Sequence, residues 1–350
     1  MNLDQAAAFT QIDRSDMLTA IHGLPKQLDD AWQLGQTLDL PPRRGIRRVL
    51  IAGMGGSAIA ADLLAAWAAP SCRVPIIVHR DYGLPAWTDN YDTLVIISSH
   101  SGNTEETLDV FEAGLLQECR LMVITTGGRL ADRADERGML KWQFAHAGQP
   151  RSAVGLSFGL LLSALARLEL IEDPSGEIAS ATAEMVSHQA SLSPQEPACT
   201  NPAKRLAGQL IGRWVNVIGS GLLAPVARRW KTQINELAKA GAGFESLPEA
   251  DHNSLAGIFN PESTLNHTST IFLKHDYDQP RNRLRSQLTQ QTYMLEGLNT
   301  NDFTASGQSR LAQQWSCLHF GDYLAYYLAM AYGVDPTPVQ AIQDFKSNLG

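Results

Sequence analysis

The fold is decided by the stretch TLVIISSHSGNTEET, residues 93–107. Its first part, 93–97, is a continuous apolar run of the kind that forms a buried parallel strand. After it come Leu108, Phe111 and Leu115, whose spacing predicts the inner face of a helix. Strand, polar turn and helix in this order are the repeating unit of a doubly wound α/β fold.

The turn of this stretch is rich in groups that bind anions. A helix N-terminus presents unpaired N–H groups and a partial positive charge, and hydroxyl donors placed there predict a phosphate site. The hydroxyls are those of Ser98, Ser99, Ser101 and Thr104. The competing interpretation is a simple helix cap, with Asn103 as the cap and Glu106 as its partner, but a cap needs only one such side chain.

A second turn of the same kind lies upstream. A strand predicted at 48–52 runs into Gly53-Met54-Gly55-Gly56-Ser57, and an alanine-rich helix follows from 58 to about 68. The glycines match a dinucleotide-binding loop only loosely, and a tight turn without a ligand is a further alternative. Neither alternative requires the hydroxyls of Ser98, Ser99, Ser101 and Thr104. We therefore favour one phosphomonoester held between the two turns.

The order of strand, glycine turn and helix returns in the second half of the chain. A strand predicted at 214–218 leads into Gly219-Ser220-Gly221 and a helix from 222 to about 240, and another strand is predicted at 270–274. Residues 240–246, rich in glycine and alanine, are predicted to form a loop. We expect an α/β protein of two doubly wound lobes, each a parallel sheet flanked by helices.

The 350 residues allow two domains of ordinary size. Between the two lobes, a stretch with several prolines and few apolar residues indicates a helix-bearing connection. The predicted boundaries are a helical lead-in at 1–45, a first lobe at 46–170, the connection at 171–202 and a second lobe at 203–350.

Composition excludes several classes of protein. Hydrophobic residues make up 44% of the chain and charged residues 18%, which is typical of a packed globular protein. The net charge is −8 and no block of Lys and Arg stands out, so we expect neither a nucleic-acid partner nor a membrane partner. Four cysteines without a CxxC pair, together with an N-terminus that does not resemble a signal peptide, predict a cytoplasmic protein.

Neither a metal site nor a cofactor site is indicated. The nine histidines form no HxH or HExxH pattern. A GxxxxGK[ST] loop is also missing, which argues against nucleotide hydrolysis.

Four side chains outside the turns are candidates for acid–base or electrostatic chemistry. Glu236 and His252 lie on either side of the 240–246 segment, Lys346 lies beside the apolar stripe of the last helix, and Arg151 opens a helix. Each has an ordinary alternative: a solvated carboxylate, a structural histidine, a lysine whose ammonium extends to water, or a surface arginine. The individual residues leave these alternatives open.

Taken together, the motifs resemble the bifunctional phosphoglucose/phosphomannose isomerase family, which is built from two sugar-isomerase (SIS) domains. The resemblance covers nearly the whole chain. Its motifs are Gly53-Met54-Gly55-Gly56-Ser57, SHSGNTEET at 99–107, Pro150-Arg151-Ser152-Ala153-Val154-Gly155, Asn235-Glu236 with Asp251-His252-Asn253, and Gly333-Val334-Asp335-Pro336-Thr337-Pro338. Two features depart from the family pattern: His100 stands where tyrosine is more common, and the 240–246 segment is richer in glycine and alanine than in aromatic residues.

The resemblance implies an aldose–ketose isomerase that interconverts glucose 6-phosphate and/or mannose 6-phosphate with fructose 6-phosphate through a cis-enediol(ate), without a cofactor. In that family pattern, Glu236 is the base and Arg151 stabilises the intermediate. His252 and Lys346 handle ring opening. The residues implied to hold the substrate and its phosphate are Gly55, Gly56, Ser57, Ser99, Ser101 and Thr104.

The family forms dimers in which the histidine is contributed across the interface, so the resemblance also implies a homodimer. The alternative is a non-catalytic SIS protein that binds a sugar phosphate as a sensor. Such a protein needs the phosphate turns but has no need of Glu236, His252 and Lys346.

Overall fold

Two parallel sheets carry the fold in the computed structural model, which describes residues 2–88 and 92–349. The chain divides into two compact units. Gly23–Thr182 contains a five-stranded sheet, and Met1–His22 together with Ala183–Gly350 contains a four-stranded sheet. We call these the five-stranded unit and the four-stranded unit.

Helices and strands alternate through the first half of the chain. In order they are α1 (Phe9–Ile12), α2 (Met17–His22), α3 (Leu24–Thr37), β1 (Arg48–Ala52), α4 (Gly55–Ala68), β2 (Ile76–His79), β3 (Thr93–Ser99), α5 (Glu105–Leu116), β4 (Arg120–Thr125), α6 (Gly128–Glu136), β5 (Leu140–Gln143), α7 (Val154–Arg167) and α8 (Ser175–His188). The sheet order is β2-β1-β3-β4-β5, and all neighbouring pairs are parallel. The carboxyl ends of all five strands therefore meet at one edge of the sheet.

β3 is the central strand of this sheet, and each of its seven residues is buried. A strand covered by helices on both faces must be apolar on both faces, so its sequence shows no alternation. On one face, Leu108 and Phe111 of α5 pack in a cluster with Val95 and Ile97 of β3. The apolar residues of the strand and those of the helix that follows therefore pack against each other.

The second half of the chain repeats this alternation. Its elements are α9 (Pro202–Leu210), β6 (Trp214–Ser220), α10 (Ala224–Glu236), β7 (Ala242–Leu247), α11 (Glu262–Leu265), β8 (Thr268–Lys274), α12 (Pro280–Leu295), β9 (Asn299–Thr304), α13 (Arg310–Tyr332) and α14 (Gln340–Leu349). The sheet order is β7-β6-β8-β9, again with all neighbours parallel.

α13 is the core helix of the four-stranded unit, and all its residues from 311 to 331 are buried. The N-terminal helices pack on it. The ring of Phe9 lies 6.3 Å from that of Tyr326 and 6.1 Å from that of Tyr327, and His319 donates from Nε2 to the carbonyl oxygen of Ile21 at 2.9 Å. This unit is therefore assembled from two segments that are far apart in the sequence.

The predicted fold class is confirmed, because each unit is a parallel sheet flanked by helices. The prediction of a loop at 240–246 is wrong. Most of this segment belongs to β7, an edge strand that pairs in parallel with β6. β9 and α12 are absent from the sequence prediction.

The predicted boundaries at 45, 170 and 202 concern SIS domains and stay a prediction. The compact units divide the chain elsewhere, because the residues before Gly23 pack with those after Thr182. The outermost residues of the predicted segments, Met1 and Gly350, lie outside the described residues. Within 2–88 and 92–349, no helix combines the length and apolar character needed to cross a bilayer.

Candidate active site

The turn after β1 is built for a close approach of two backbone segments. β1 ends at Ala52 and α4 begins at Gly55. A Cβ on Gly56 would lie only 2.7 Å from the carbonyl oxygen of Pro150, so only glycine fits there. The first turn of α4 also holds Ser57, which is buried beside a helix N-terminus with its anion-attracting N–H groups.

The turn after β3 is held in shape by contacts with the turn after β4. Gly102 has a φ of +63°, and a Cβ on it would lie 1.8 Å from the carbonyl oxygen of Gly127. The Leu130 N–H donates to the Gly102 carbonyl oxygen at 2.9 Å, and the Thr126 hydroxyl donates to the His100 carbonyl oxygen at 2.6 Å. The protein itself therefore fixes the shape of this turn.

Two hydroxyls of this turn are not used in capping or in local hydrogen bonds. Thr104 is the N-cap of α5, but its side chain makes no capping hydrogen bond. The buried hydroxyl of Ser99 has no hydrogen-bond partner among the described residues. A buried polar group without a partner costs about 1–3 kcal/mol. The turn is thus prepared for a polar ligand.

The interpretation of this stretch as a simple helix cap is wrong. The side-chain oxygen of Asn103 does not cap α5 but accepts the N–H of Arg129 at 3.1 Å, at the start of α6. The hydroxyl of Ser101 accepts the N–H of Asn103 at 3.2 Å, which orders the turn.

The two turns lie side by side. β1 and β3 are parallel neighbours, and Ala52 pairs with Ile97 near their carboxyl ends. A Cβ on Gly53 would lie 2.8 Å from the carbonyl oxygen of Ser98. The five-stranded unit therefore brings the predicted phosphate residues to one edge of its sheet. These are Gly55, Gly56, Ser57, Ser99, Ser101 and Thr104.

Arg151 belongs to the segment that packs on the first of these turns. It lies in the short 3-10 helix Pro150–Ala153, which leads into α7, and its side chain is buried. A Cβ on Gly56 would lie 3.4 Å from the Cα of Arg151. A guanidinium group stays charged when it is buried, so this position suits the stabilisation of an anion.

A pair of histidines joins the turn after β3 to the segment that leads to Arg151. His100 Nε2 and His146 Nδ1 are 2.9 Å apart. His146 packs on Gly148, because a Cβ on Gly148 would lie 2.7 Å from its Cε1. Sequence analysis missed His146, and only its position after the last strand of the lobe could have drawn attention to it.

Both rings of this pair are neutral at pH 7. Burial, and then the charge that His146 would carry, lower the pKa of His100 to about 4. Burial also lowers the pKa of His146. A neutral pair lets one ring donate its N–H to the other, so the hydrogen bond persists at physiological pH.

We expect acid to destabilise the protein through this pair. The folded-state pKa of His100 lies below its unfolded value of about 6.5, so the unfolded chain binds the extra proton first. The stabilising contribution is present above pH 6.5 and is lost as the pH falls towards 4. His100→Phe should therefore lose less stability than the wild type between pH 7 and pH 5, measured as the urea midpoint. His267→Phe, at an exposed histidine, is the control, and an equal loss in His100→Phe and the wild type would contradict the expectation.

Glu236 lies in the four-stranded unit, where it is the last residue of α10 and is half-buried. The chain then turns at Lys239, which has a φ of +55°. The Lys239 ammonium donates to the carbonyl oxygen of Glu236 and, at 3.4 Å, to that of Pro336. The end of α10 therefore contacts the 333–338 motif.

His252 is exposed at the end of the short 3-10 helix Glu249–His252, which follows β7. The neighbouring Asp251 fixes this segment on α12. Its carboxylate pairs with the Arg285 guanidinium at 3.0 Å and accepts the Thr289 hydroxyl at 2.7 Å. The imidazole is therefore exposed on a segment that Asp251 anchors to α12.

Lys346 is also exposed, and it lies on α14. The apolar stripe predicted for this helix is not covered in the described chain, since Ile342 is 44% and Phe345 65% exposed. Glu236, His252 and Lys346 all belong to the four-stranded unit, whereas Arg151 and the phosphate turns belong to the five-stranded unit.

Across the described ranges, no group of three or more His, Cys, Asp or Glu side chains is placed to hold a metal ion. None of the four cysteines forms a disulfide. The polar groups that gather at the sheet edge are hydroxyls and backbone N–H groups, which suit an anion rather than a cation.

Comparison with known proteins places this chain in a family. Residues 199–349 match the family described as bacterial phospho-glucose isomerase C-terminal SIS domain. Over 95% of the chain and 98% of the relative, the sequence is 36% identical to the bifunctional phosphoglucose/phosphomannose isomerase of Caldicellulosiruptor bescii. It is 34% identical to the protein of the same name from Aquifex aeolicus, over 89% of the chain and 92% of that relative.

The fold is also found in solved structures. A glucose-6-phosphate isomerase-like protein from Thermus thermophilus superposes with a TM-score of 0.64, over 99% of both chains, at 18% sequence identity. At this identity the similarity concerns the fold alone. It agrees with the two parallel sheets described above.

Proposed function

The chain belongs to the bifunctional phosphoglucose/phosphomannose isomerase family, and on this basis we propose that it interconverts glucose 6-phosphate and mannose 6-phosphate with fructose 6-phosphate. The observation that carries the proposal within the structure is the buried hydroxyl of Ser99, at the end of β3, which has no hydrogen-bond partner among the described residues. It is the kind of group that a phosphate oxygen satisfies. The substrate phosphate would be held by Ser57, Ser99, Ser101 and Thr104, with Gly55 and Gly56 allowing close approach.

The isomerisation moves a proton between C1 and C2 of the open-chain sugar. One carboxylate can perform both transfers on one face of a cis-enediol(ate), and we assign this role to Glu236. The intermediate carries negative charge on its oxygens, and we assign its stabilisation to the buried guanidinium of Arg151. The phosphate turns orient the sugar for these steps. All of these steps are proton transfers, so the proposal invokes no redox cofactor.

Ring opening comes before isomerisation, because hexose phosphates are mostly cyclic. An imidazole is suited to protonating the ring oxygen near neutral pH, and we assign this step to His252 together with Lys346. Glucose and mannose 6-phosphates differ only in configuration at C2, which is planar in the intermediate. A site that tolerates both faces of C2 therefore serves both sugars.

We further propose that the protein acts as a homodimer in the cytoplasm. The exposed position of His252 on an anchored segment suits a residue that completes the site of a second copy. The absence of disulfides among the four cysteines suits a reducing compartment.

The direct test is a coupled assay that starts from fructose 6-phosphate and measures the formation of both aldose phosphates. We expect both products, and we expect rates that are unchanged by a chelator such as EDTA, because the assigned steps use side chains only. Formation of neither product by folded protein would overturn the proposed activity. Activity that a chelator removes and zinc restores would overturn the metal-free mechanism.

Mixing two inactive variants tests the dimeric site. Glu236→Gln and His252→Ala chains, coexpressed with different tags, should regain about a quarter of the wild-type activity. Half of the dimers are then mixed, and one of the two sites in each mixed dimer has both residues intact. If His252 serves its own subunit, no site in the mixture is complete and the activity stays at the level of the separate variants. The control is each variant expressed alone, so that every dimer contains two chains of the same variant.

A further inference from the structure

The turn after β6 has the same backbone geometry as the turn after β1. Ala52 and Ile218 hold equivalent places, since each pairs with the next strand of its own sheet near the carboxyl end. Two residues later, Met54 has φ −125° and ψ 160°, and Ser220 has φ −132° and ψ 153°. The glycines that follow, Gly55 and Gly221, have φ values of +49° and +46°. The match concerns conformation as well as the order of elements.

The second turns correspond in length and in the residues at their ends. In the five-stranded unit, residues 100–104 connect β3 to α5, and in the four-stranded unit residues 275–279 connect β8 to α12. Both connections have five residues, both begin with histidine, and both end with the N-cap of the helix, Thr104 in one and Gln279 in the other. The four-stranded unit thus contains a second pair of turns at the equivalent places. The two pairs differ at the middle of the second turn, where Gly102 has a φ of +63° and the equivalent Tyr277 has no positive φ.

The helix N-terminus of this second pair is already occupied by the protein. The side-chain oxygen of Gln279 accepts the N–H groups of Arg281 and Asn282, at the start of α12. In the equivalent place the Thr104 side chain makes no capping bond and leaves the start of α5 accessible to a ligand. The difference arises from one residue, because glutamine is long enough to fold back over the helix end and accept these bonds.

A carboxylate fills the space between the two turns of the second pair. Asp278 accepts the hydroxyl of Ser220 with one oxygen and the N–H of Gln279, at 2.9 Å, with the other. A Cβ on Gly221 would lie 3.6 Å from the second oxygen. Asp278 thus lies against the turn after β6 and bonds a hydroxyl and an N–H, the groups that the other unit would offer to a phosphate.

His275 gives independent evidence that this place suits an anion. It is 4% exposed, and within the described part of the chain neither of its ring nitrogens has a hydrogen-bond partner. Its Nε2 lies 3.9 Å from Asp278 Oδ1, and the Ser220 backbone approaches the ring without the geometry of a hydrogen bond. A buried imidazole that lies beside a carboxylate without a hydrogen bond to it is a donor available for a larger anion at the same place.

We propose that the four-stranded unit contains a second phosphate cradle that the protein closes with its own groups, the Asp278 carboxylate and the Gln279 side chain. The charge of Asp278 repels a phosphate, and Gln279 uses the N–H groups that a phosphate would need. Each chain then binds one phosphate group, in the five-stranded unit. The inference rests on the phosphate role proposed above for the turns after β1 and β3.

The test is to open the second cradle with Asp278→Ser and Gln279→Thr together, which places two short hydroxyl side chains where the other unit has Asn103 and Thr104. Inorganic phosphate is the probe, and isothermal titration calorimetry gives the number of sites. We expect about one phosphate per wild-type chain and about two per chain of the double variant. Asp276→Ser is the matched control, because its carboxylate lies on the same loop but accepts the Gln313 side chain at 2.8 Å; it should keep one site.

Repeating the titration in a Ser99→Ala and Thr104→Ala background separates this inference from the proposed function. Loss of the wild-type site there supports the first cradle, and its persistence would contradict the proposed function. A site gained by opening the second cradle in this background supports the present inference whatever the first cradle does. A folded double variant that gains no site in either background overturns it.

A second measurement applies if the double variant folds poorly. For Asp278→Ala, added formate should raise the melting temperature more than it does for the wild type, because the small carboxylate refills the vacated place. Equal shifts in the two proteins would overturn the proposal.

Discussion

Glu236→Gln should abolish isomerisation while leaving sugar-phosphate binding nearly unchanged. The amide has almost the shape of the carboxylate but cannot accept and return the proton that moves between C1 and C2. We expect kcat to fall by about a thousandfold or more with both aldose phosphates, since one base is proposed for both. The phosphate turns belong to the other unit and keep their hydroxyls, so fructose 6-phosphate should bind as before, measured by calorimetry.

Glu249→Gln is the matched control for this variant. Glu249 lies three residues before His252 and accepts the Asn253 side-chain amide at 2.9 Å. The change removes a carboxylate from the same unit without touching the proposed base, so kcat should stay near that of the wild type. Near-normal turnover in Glu236→Gln would remove Glu236 from the role of base, and a loss of binding in it would show that the residue positions the substrate instead.

Gly102→Ala should be the most destabilising single-methyl change in the phosphate turns. The φ of +63° already disfavours alanine, and the new Cβ would lie 1.8 Å from the Gly127 carbonyl oxygen. The clash is with backbone, which a side-chain rotation cannot relieve. We expect a loss of about 3 kcal/mol or more in the free energy of unfolding, measured by urea denaturation. The displaced turn should also weaken phosphate binding.

Gly138→Ala separates the two causes. Gly138 has nearly the same φ, +62°, but apart from its chain neighbours no described residue has an atom within 4 Å of the position of its Cβ. Only the backbone strain applies there, so we expect a loss of about 1 kcal/mol. Equal losses at the two positions would show that the turn after β4 moves aside easily and does not hold the turn after β3 in shape.

The sheets could be predicted where their strands are buried on both faces. β1 and β3 contain continuous apolar runs that lead into glycine or polar turns, and this pattern has few alternatives. β7 and β9 are edge strands with the sequences AGFESL and NTNDFT, and most of their residues are only partly buried. An edge strand needs little apolar surface, so its sequence resembles that of a loop.

The candidate site also has parts that the sequence predicts and parts that it does not. The phosphate turns are local motifs, because each is a short run of residues between a strand and a helix. The contacts His100–His146 and Ser220–Asp278 join residues that are 46 and 58 positions apart. Such contacts depend on which strands become neighbours, and the sequence pattern does not specify the strand order. The roles of Glu236, His252 and Lys346 follow from family resemblance, since an isolated side chain has no pattern of its own.

The two units differ in how far apart in time their parts are synthesised. Gly23–Thr182 is one continuous segment, so its sheet can form while the rest of the chain is still being made. The four-stranded unit waits longer, because Phe9 packs on Tyr326 and Tyr327. At about 5 to 20 residues per second, roughly 15 to 60 s separate the synthesis of these residues. During that interval the apolar side chains of the N-terminal helices lack the α13 residues on which they pack in the folded unit.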